Sequence, residues 1–506
     1  MWWFILNVYA NNLTITNVSL TKPDSANSTI TVQFDISWDN SWRNYINYDA
    51  VWVFVKYSCD SGQTWQHATL KSGGVNPNGF TQGAGTSIDL VVPEDKKGCF
   101  IYRSSIGAGR VEVRGIQLLW DWGTDKLEAN DTVVVKVFGI EMVYIPSQAF
   151  YIGDGDGTNE STNAFHLGTG SFSVRITDKL VKDIRVEGNI YDDSQLEDVG
   201  IGIDGDEGID IDDDGIVDNK NFPTGYLGFY CMKYEITEGQ WVDFFNTLTP
   251  AQKINRDITG PDGKNSDDVV NRNTISWSTG EATTLRPDRA LNYISWMDLC
   301  AFADWAALRP MTELEFEKIA RGPNEPIVGE YAWGDTTIIP AKVISGVEDG
   351  RETITNVGAN SCYNDEIFSG GDGGKGPLRV GIFATARSNR ITAGAGYYGV
   401  MELSGNVEER CVTVGNTTGR NFQGTHGDGV LSLAVGYEGN ATNPDWPGYQ
   451  EGKGVCGATG SGFRGGSWED TVVSRLAISN RSRAAQASGE RRSDSGGRCV
   501  RTAPRW

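Results

Sequence analysis

From Ile30 to Trp38 apolar and polar residues alternate, with Ile30, Val32, Phe34, Ile36 and Trp38 separated by Thr31, Gln33, Asp35 and Ser37. Period two is the signature of a strand with one face buried and one face in water. Further strand-like runs occupy residues 51–57, 88–92, 111–120 and 132–140, and Gly, Asn, Asp and Pro clusters separate them. Several strands at this spacing with no helical period predict a β-sandwich over residues 1–140. Past Glu141 the pattern changes. Trp241, Phe244, Phe245 and Leu248 recur at helical spacing behind Thr237, a candidate N-cap. Residues 295–307 and 312–321 read as further amphipathic helices, and Thr312 with Glu315 fits a capping box. Beyond about residue 335 the chain turns Gly-rich and loop-like, with short strands only.

Composition narrows the function. The chain has 506 residues, 44 of them Lys or Arg, and a net charge of -22. That balance argues against nucleic acid or an anionic membrane as the main partner, and for divalent cations or glycans. Three histidines leave little room for a zinc site or a His-based relay. Eight cysteines occur without a CxxC pair, so zinc ribbons and thioredoxin chemistry are unsupported. The segment Cys59 to Trp65 looks like the strand–turn–strand of fibronectin- or Ig-like modules. The run Trp2 to Ala10 has two readings. It is the end of a secretory leader, or a retained apolar strand that pairs with a neighbouring molecule. Export would favour disulfides. No other apolar stretch is long enough to span a bilayer.

Between Asp192 and Asp218 stand twelve carboxylates and no Lys or Arg. A solvated acidic loop is the bland reading of such a run. Two details point to calcium. Asp210, Asp212, Asp214 and Gly215 fit D-x-D-x-D-G, with the Ile216 carbonyl and Asp218 at the next ligand positions. Apolar Ile209, Ile211, Ile216 and Val217 interleave with the acids, which solvation alone does not require. Asp204 and Asp206 are candidates for a second ion. Asn221 stands where an EF-hand would have a bidentate Glu. The loop belongs to an insertion at about 153–228.

Seven tags then follow in order: MVYIPSQAFYIGD at 142–154, YEITEGQWVDF at 234–244, ALNYISWMDLCAFADWAALRPMTELEFEKIARG at 290–322, YAWGD at 331–335, YYGVMELSGNVEE at 397–409, FRGGSW at 463–468 and GGRCV at 496–500. In this series residues 141–506 resemble the formylglycine-generating-enzyme, or sulfatase-modifying-factor, family. The resemblance implies a C-type-lectin-variant fold with little regular secondary structure and bound Ca2+. The whole chain is then mainly β plus α+β: an N-terminal sandwich followed by this domain. The resemblance also implies calcium ligands at Asn406, Val407 and Glu409, and at Asn360 and Asp372.

The family's oxidase chemistry uses two copper-binding cysteines shortly after the GGS tag. Here those positions fall on Asp470 and Arg475, and Glu408 and Arg410 replace two aromatics of the GNVWEW pattern. A carboxylate and a guanidinium do not substitute for soft thiolates on Cu(I), so no copper is expected. The expected role is therefore non-catalytic. It is a secreted structural or assembly protein of the cell surface, calcium-stabilised and self-associating into a polymer or filament through its N-terminal segment. The alternatives are a lectin-like glycan-binding protein and, third, an oxidase.

Overall fold

The computed structural model describes residues 12–155, 164–167, 174–176, 184–186, 203–204, 208–209, 219–278 and 280–505. Its first sheet runs β1 (Thr14–Asp24), β2 (Thr29–Arg43), Gly107–Trp120 and Ala84–Gly85. The alternating segment lies on β2, paired antiparallel to Gly107–Trp120 with Val32 opposite Leu118 and Phe34 opposite Ile116. Its apolar set turns inward: Phe34, Ile36 and Trp38 are buried against Val51, Val53, Leu90, Ile101 and Val113, and Val32 against Val55, Tyr57 and Trp120. Each such side chain contributes about 1.5–3 kcal/mol of burial.

The facing sheet contains β3 (Asp49–Ser58), and all ten of its residues are buried. The unbroken apolar run of β3 has a physical reason, because both of its faces are covered. Val51, Val53 and Val55 look toward the first sheet. Trp52 and Phe54 look the other way, onto the helix Trp296–Trp305: the Trp52 indole N–H donates to the Ala306 carbonyl at 2.8 Å, and Phe54 meets Trp305 edge-on at 5.0 Å.

This second sheet does not stop at the sandwich. Its order is Arg309–Pro310, Cys499–Thr502, Phe229–Met232, Val134–Ile145, β3, Cys99–Arg103, Ile88–Val92 and Gly74–Val75. The strand Val134–Ile145 pairs with β3 from Val134 to Val143, and on its other edge with Phe229–Met232 from Met142 to Ile145. The sequence boundary at 140/141 therefore falls inside one strand, and the two parts share a sheet. An aromatic cluster fills the seam, with Phe100 stacked on Tyr230 at 3.8 Å and Tyr48 on Tyr144 at 4.9 Å.

The described part of the chain is mostly β with five short α-helices. The Thr312–Glu315 box forms as expected: Glu315 N–H donates to the Thr312 hydroxyl at 3.2 Å, and Thr312 N–H to the Glu315 carboxylate at 3.0 Å. The helix it starts, Glu313–Arg321, departs from the amphipathic expectation because every residue in it is buried. Its charged face is covered by partners from distant segments. Glu313 takes Arg481 at 2.7 Å and Arg464 at 3.1 Å, Glu317 takes Arg464 at 2.6 Å, and Lys318 donates to the Pro146 carbonyl at 2.7 Å. The eight cysteines are free thiols, six of them buried, so the disulfides considered from the sequence do not form. Among the described residues no helix is long and apolar enough to cross a membrane.

Candidate functional site

The strand Glu408–Val412 lies between Ser461–Arg464 and Ser495–Gly496 and gathers the residues that the sequence singled out. Asn406 enters it with a φ of 69°, a left-handed turn that Asn tolerates. Both ends of its amide are engaged: the oxygen accepts Leu378 N–H at 2.8 Å, and the nitrogen donates to Glu235. Val407 N–H donates to the other Glu235 oxygen at 3.1 Å. Asn406 thus orients Glu235 rather than standing free as a ligand.

Glu409 accepts from Arg498 Nε at 2.6 Å, and Glu402 accepts Gly381 N–H at 2.7 Å. Each keeps one buried oxygen with no donor among the described residues. Among the described residues, Arg498 is the cation that acts on Glu235, Glu402 and Glu409 together. Burial pushes Glu402 up to about 7, while Arg498 opposes the shift. Burial, and then the charge of Glu409, holds Glu235 well above the carboxylate range. Buried carboxylates left in excess of their cations either take up protons or attract a hard cation. Sequence reading missed Glu235 and Glu402. The signal for Glu402 was a charged residue inside the apolar stretch Val400 to Leu403.

The other expected ligands are placed elsewhere. The Asn360 amide is spent on Ile339 N–H at 2.9 Å and on the carbonyls of Thr337 and Ile391. Asp372 is gripped by Arg272 and by Arg289, the latter at 2.8 Å, with Glu348 beside them. Two guanidiniums already meet its charge, and a metal ion there would have to displace them. Asp206, Asp210, Asp212, Asp214, Ile216 and Asp218 lie outside the described residues. Asp204 lies in the two-residue strand Ile203–Asp204, paired with Gly208–Ile209. Among the described residues no group of three or more His, Cys, Asp or Glu is arranged as a metal centre. Glu235, Glu402 and Glu409 therefore share a field rather than a ready ligand sphere.

Where the resemblance puts two cysteines, Arg475 Nη1 donates to Asp470 Oδ1 at 2.9 Å. Asp470 also accepts Ser467 N–H at 2.9 Å and is buried. The neighbouring Glu408 binds Arg483, and Asp494 binds Arg492 at 2.6 Å. Glu408 is pushed up to about 7, by burial first and then by Asp494. Arg410 spends its donors on the carbonyls of Ile294, Ser488 and Glu490, at 3.1, 2.8 and 2.7 Å, and so pins the loop that follows. Burial raises the thiols of Cys231, Cys300, Cys411 and Cys499, the opposite of what a metal-binding or reactive thiol requires.

Residues 218–503, more than half of the chain, match the sulfatase-modifying factor enzyme 1-like domain. The tag at 142–154 lies ahead of that span. A formylglycine-generating enzyme of Thermomonospora curvata is 28% identical over 132 residues, which cover 26% of this chain and 36% of that enzyme. The similar stretch is thus well under two thirds of the relative's length.

Proposed function

The chain belongs to the sulfatase-modifying factor family, and from that premise we propose that it is a member without oxidase activity, serving as a secreted structural or assembly protein of the cell surface. One observation carries the reading: the Asp470–Arg475 ion pair at 2.9 Å stands where the family's chemistry calls for two thiols. An ion pair has no electrons to give to oxygen and no soft donor for copper. The test incubates the full chain with a Cys-containing sulfatase peptide under oxygen, with and without Cu(I). Unconverted peptide is the expected result; formylglycine detected by mass spectrometry overturns the reading.

Calcium is part of the proposal. Its support is that Glu402 and Glu409 each keep a buried oxygen with no donor among the described residues and that Glu235 adds to their field. The resemblance contributes the Val407 carbonyl as a further hard oxygen. The acidic segment 192–218 is the second candidate. Chelator should lower the melting temperature and open 192–218 to protease; unchanged melting and cleavage would remove calcium from the proposal.

Self-association through the N-terminal run completes it. Residues 1–11 lie outside the described residues, and the support is the apolar character of Trp2 to Tyr9. The exposed edge of β1 is a poor acceptor, since Asn17 and Lys22 adopt left-handed φ at two register shifts and Pro23 withholds a donor. The acceptor is accordingly another edge of the neighbour. Deleting residues 1–10 should convert an assembling chain to a monomer on sizing at matched concentration; two monodisperse monomers would end this part of the proposal.

A further inference from the structure

Where the two parts of the chain meet, an open cavity of about 390 Å3 lies between Asn40, Trp42 and Asn44 on one side and Lys233, Tyr397 and Thr385 on the other. Its volume is within the range of small-molecule sites, ~300–1,000 Å3. It belongs neither to the Asp470–Arg475 position nor to the Glu235–Glu402–Glu409 trio. Neither half of the chain builds it alone.

Its wall contains a buried charge. Lys233 is only 4% exposed, and its ammonium lies 3.2 Å from Glu141, 4.0 Å from Asp49 and 5.1 Å from the centre of the Trp42 ring. Burial works against that charge, and Tyr234, Glu141 and Asp49 outweigh burial. The ammonium has three donors. Glu141 and Asp49 are both carboxylates, so an anionic ligand would meet a cation already neutralised from behind. A cationic ligand would meet the ammonium first. The cavity thus suits an uncharged ligand that accepts hydrogen bonds.

The rest of the lining agrees. Asn44 spends its amide oxygen on the N–H groups of Ile46 and Asn47, at 2.7 and 2.9 Å, while its nitrogen makes only one long bond, at 3.5 Å. An amide donor therefore remains at the mouth, beside the exposed Thr385, whose hydroxyl hydrogen goes to Ser388 and which offers an acceptor oxygen. Trp42 and Tyr397 supply apolar ring surface and are held in place. The Trp42 ring lies against Gly399, where an added Cβ would come within 3.0 Å of it, and Tyr397 stands edge-on to Tyr398 at 4.9 Å. Rigid aromatic surface together with amide and ammonium donors matches the alternation of C–H faces and hydroxyl oxygens on a sugar ring.

We propose that this seam cavity binds a short neutral saccharide. The site does not depend on whether the chain assembles or lacks oxidase activity. The test uses the full chain and saturation-transfer NMR with methyl β-glycosides of glucose, galactose, mannose and N-acetylglucosamine, with cellobiose, lactose and chitobiose, and with glucose 6-phosphate as the charged comparison. At least one neutral sugar should bind at millimolar concentration. Hydrogen exchange of the unmodified chain should then slow at residues 40–47 and 397–401. Ala384→Phe, which fills the cavity from its half-buried wall, and Trp42→Ala should each weaken that sugar by at least about tenfold. The proposal is overturned if no neutral sugar binds, if the phosphosugar binds better than the neutral ones, or if protection falls elsewhere. Equal binding by a folded Ala384→Phe would overturn it as well.

Discussion

Arg475 lies across Asp470 with 2.9 Å between Nη1 and Oδ1, and the two members of the pair are unequal. The Arg475 side chain is 43% exposed and that of Asp470 is 4% exposed. Asp470 also accepts the backbone N–H of Ser467, so it closes the turn after Gly466. Asp470→Ala should therefore cost about 1–3 kcal/mol by stranding that buried donor. Arg475→Ala removes a solvent-screened partner and should cost below about 1 kcal/mol. Denaturant unfolding of the two variants measures the asymmetry; equal losses would mean that the ion pair, not the turn, holds the loop.

Arg464 ties Glu313 and Glu317 of one helix to the strand Ser461–Arg464, and all three side chains are fully buried. Removing one member of a buried charge network leaves the others unpaired. Arg464→Ala should destabilise by about 3–5 kcal/mol. Glu313 keeps Arg481, so the loss should centre on Glu317, which keeps Arg321 at 3.0 Å and the Gly153 N–H at 2.8 Å. Adding Glu317→Gln to Arg464→Ala should recover part of the loss, read as the midpoint of guanidinium unfolding.

What could be read from the chain alone follows from range. The alternation at Ile30 to Trp38 and the box at Thr312 and Glu315 are local, and the fold honours both. The burial of Glu313–Arg321 was not legible, because its charges are covered by Arg464 and Arg481, far along the chain. That one strand, Val134–Ile145, runs across the 140/141 boundary was not legible, because it gains a second partner part-way along and no single-strand pattern records that. At the candidate site, Glu409 was visible through a tag, whereas Glu235 and Glu402 matter through a shared field that only the tertiary structure assembles.

Glu402 makes stability pH-dependent in a definite direction. Its folded value, about 7, lies above the ordinary 4.5, so the folded state holds a proton that the unfolded state has released. Its contribution is complete below about pH 4.5 and is lost as pH rises through about 7, at up to about 1.4 kcal/mol per pH unit. His67 and His426 act oppositely: burial lowers both well below 6.5, and they cost stability as pH falls. The difference between the wild type and Glu402→Gln isolates the carboxylate. In chelator, the wild type should lose ground to the variant between ~pH 5 and ~pH 7.5. Calcium at ~pH 7.5 should restore the wild type more than the variant. A pH-independent difference would mean that Glu402 stays ionised in the apo protein.

The seam sets the last expectation. Val134–Ile145 is hydrogen-bonded to β3 on one edge and to Phe229–Met232 on the other, and Phe100 stacks on Tyr230 across the junction. On the far side of the sheet, Trp52 and Phe54 meet Phe100, His67 and Phe138 of the first 140 residues, but Ala306 and Trp305 complete their cover. Cutting the chain at 140 would expose that face and leave two sheet edges unpaired, a combination that favours aggregation over folding. Residues 1–140 expressed alone should therefore be insoluble or molten, and the full chain should unfold through the sandwich and its neighbour in one transition. Trp305→Ala tests the same coupling from the other side: a loss of about 3–5 kcal/mol should appear equally in probes placed on Trp38, inside the sandwich, and on the helix Trp296–Trp305. If the Trp38 probe melts unchanged while the helix melts early, the two parts fold independently and the shared sheet is only a contact between them.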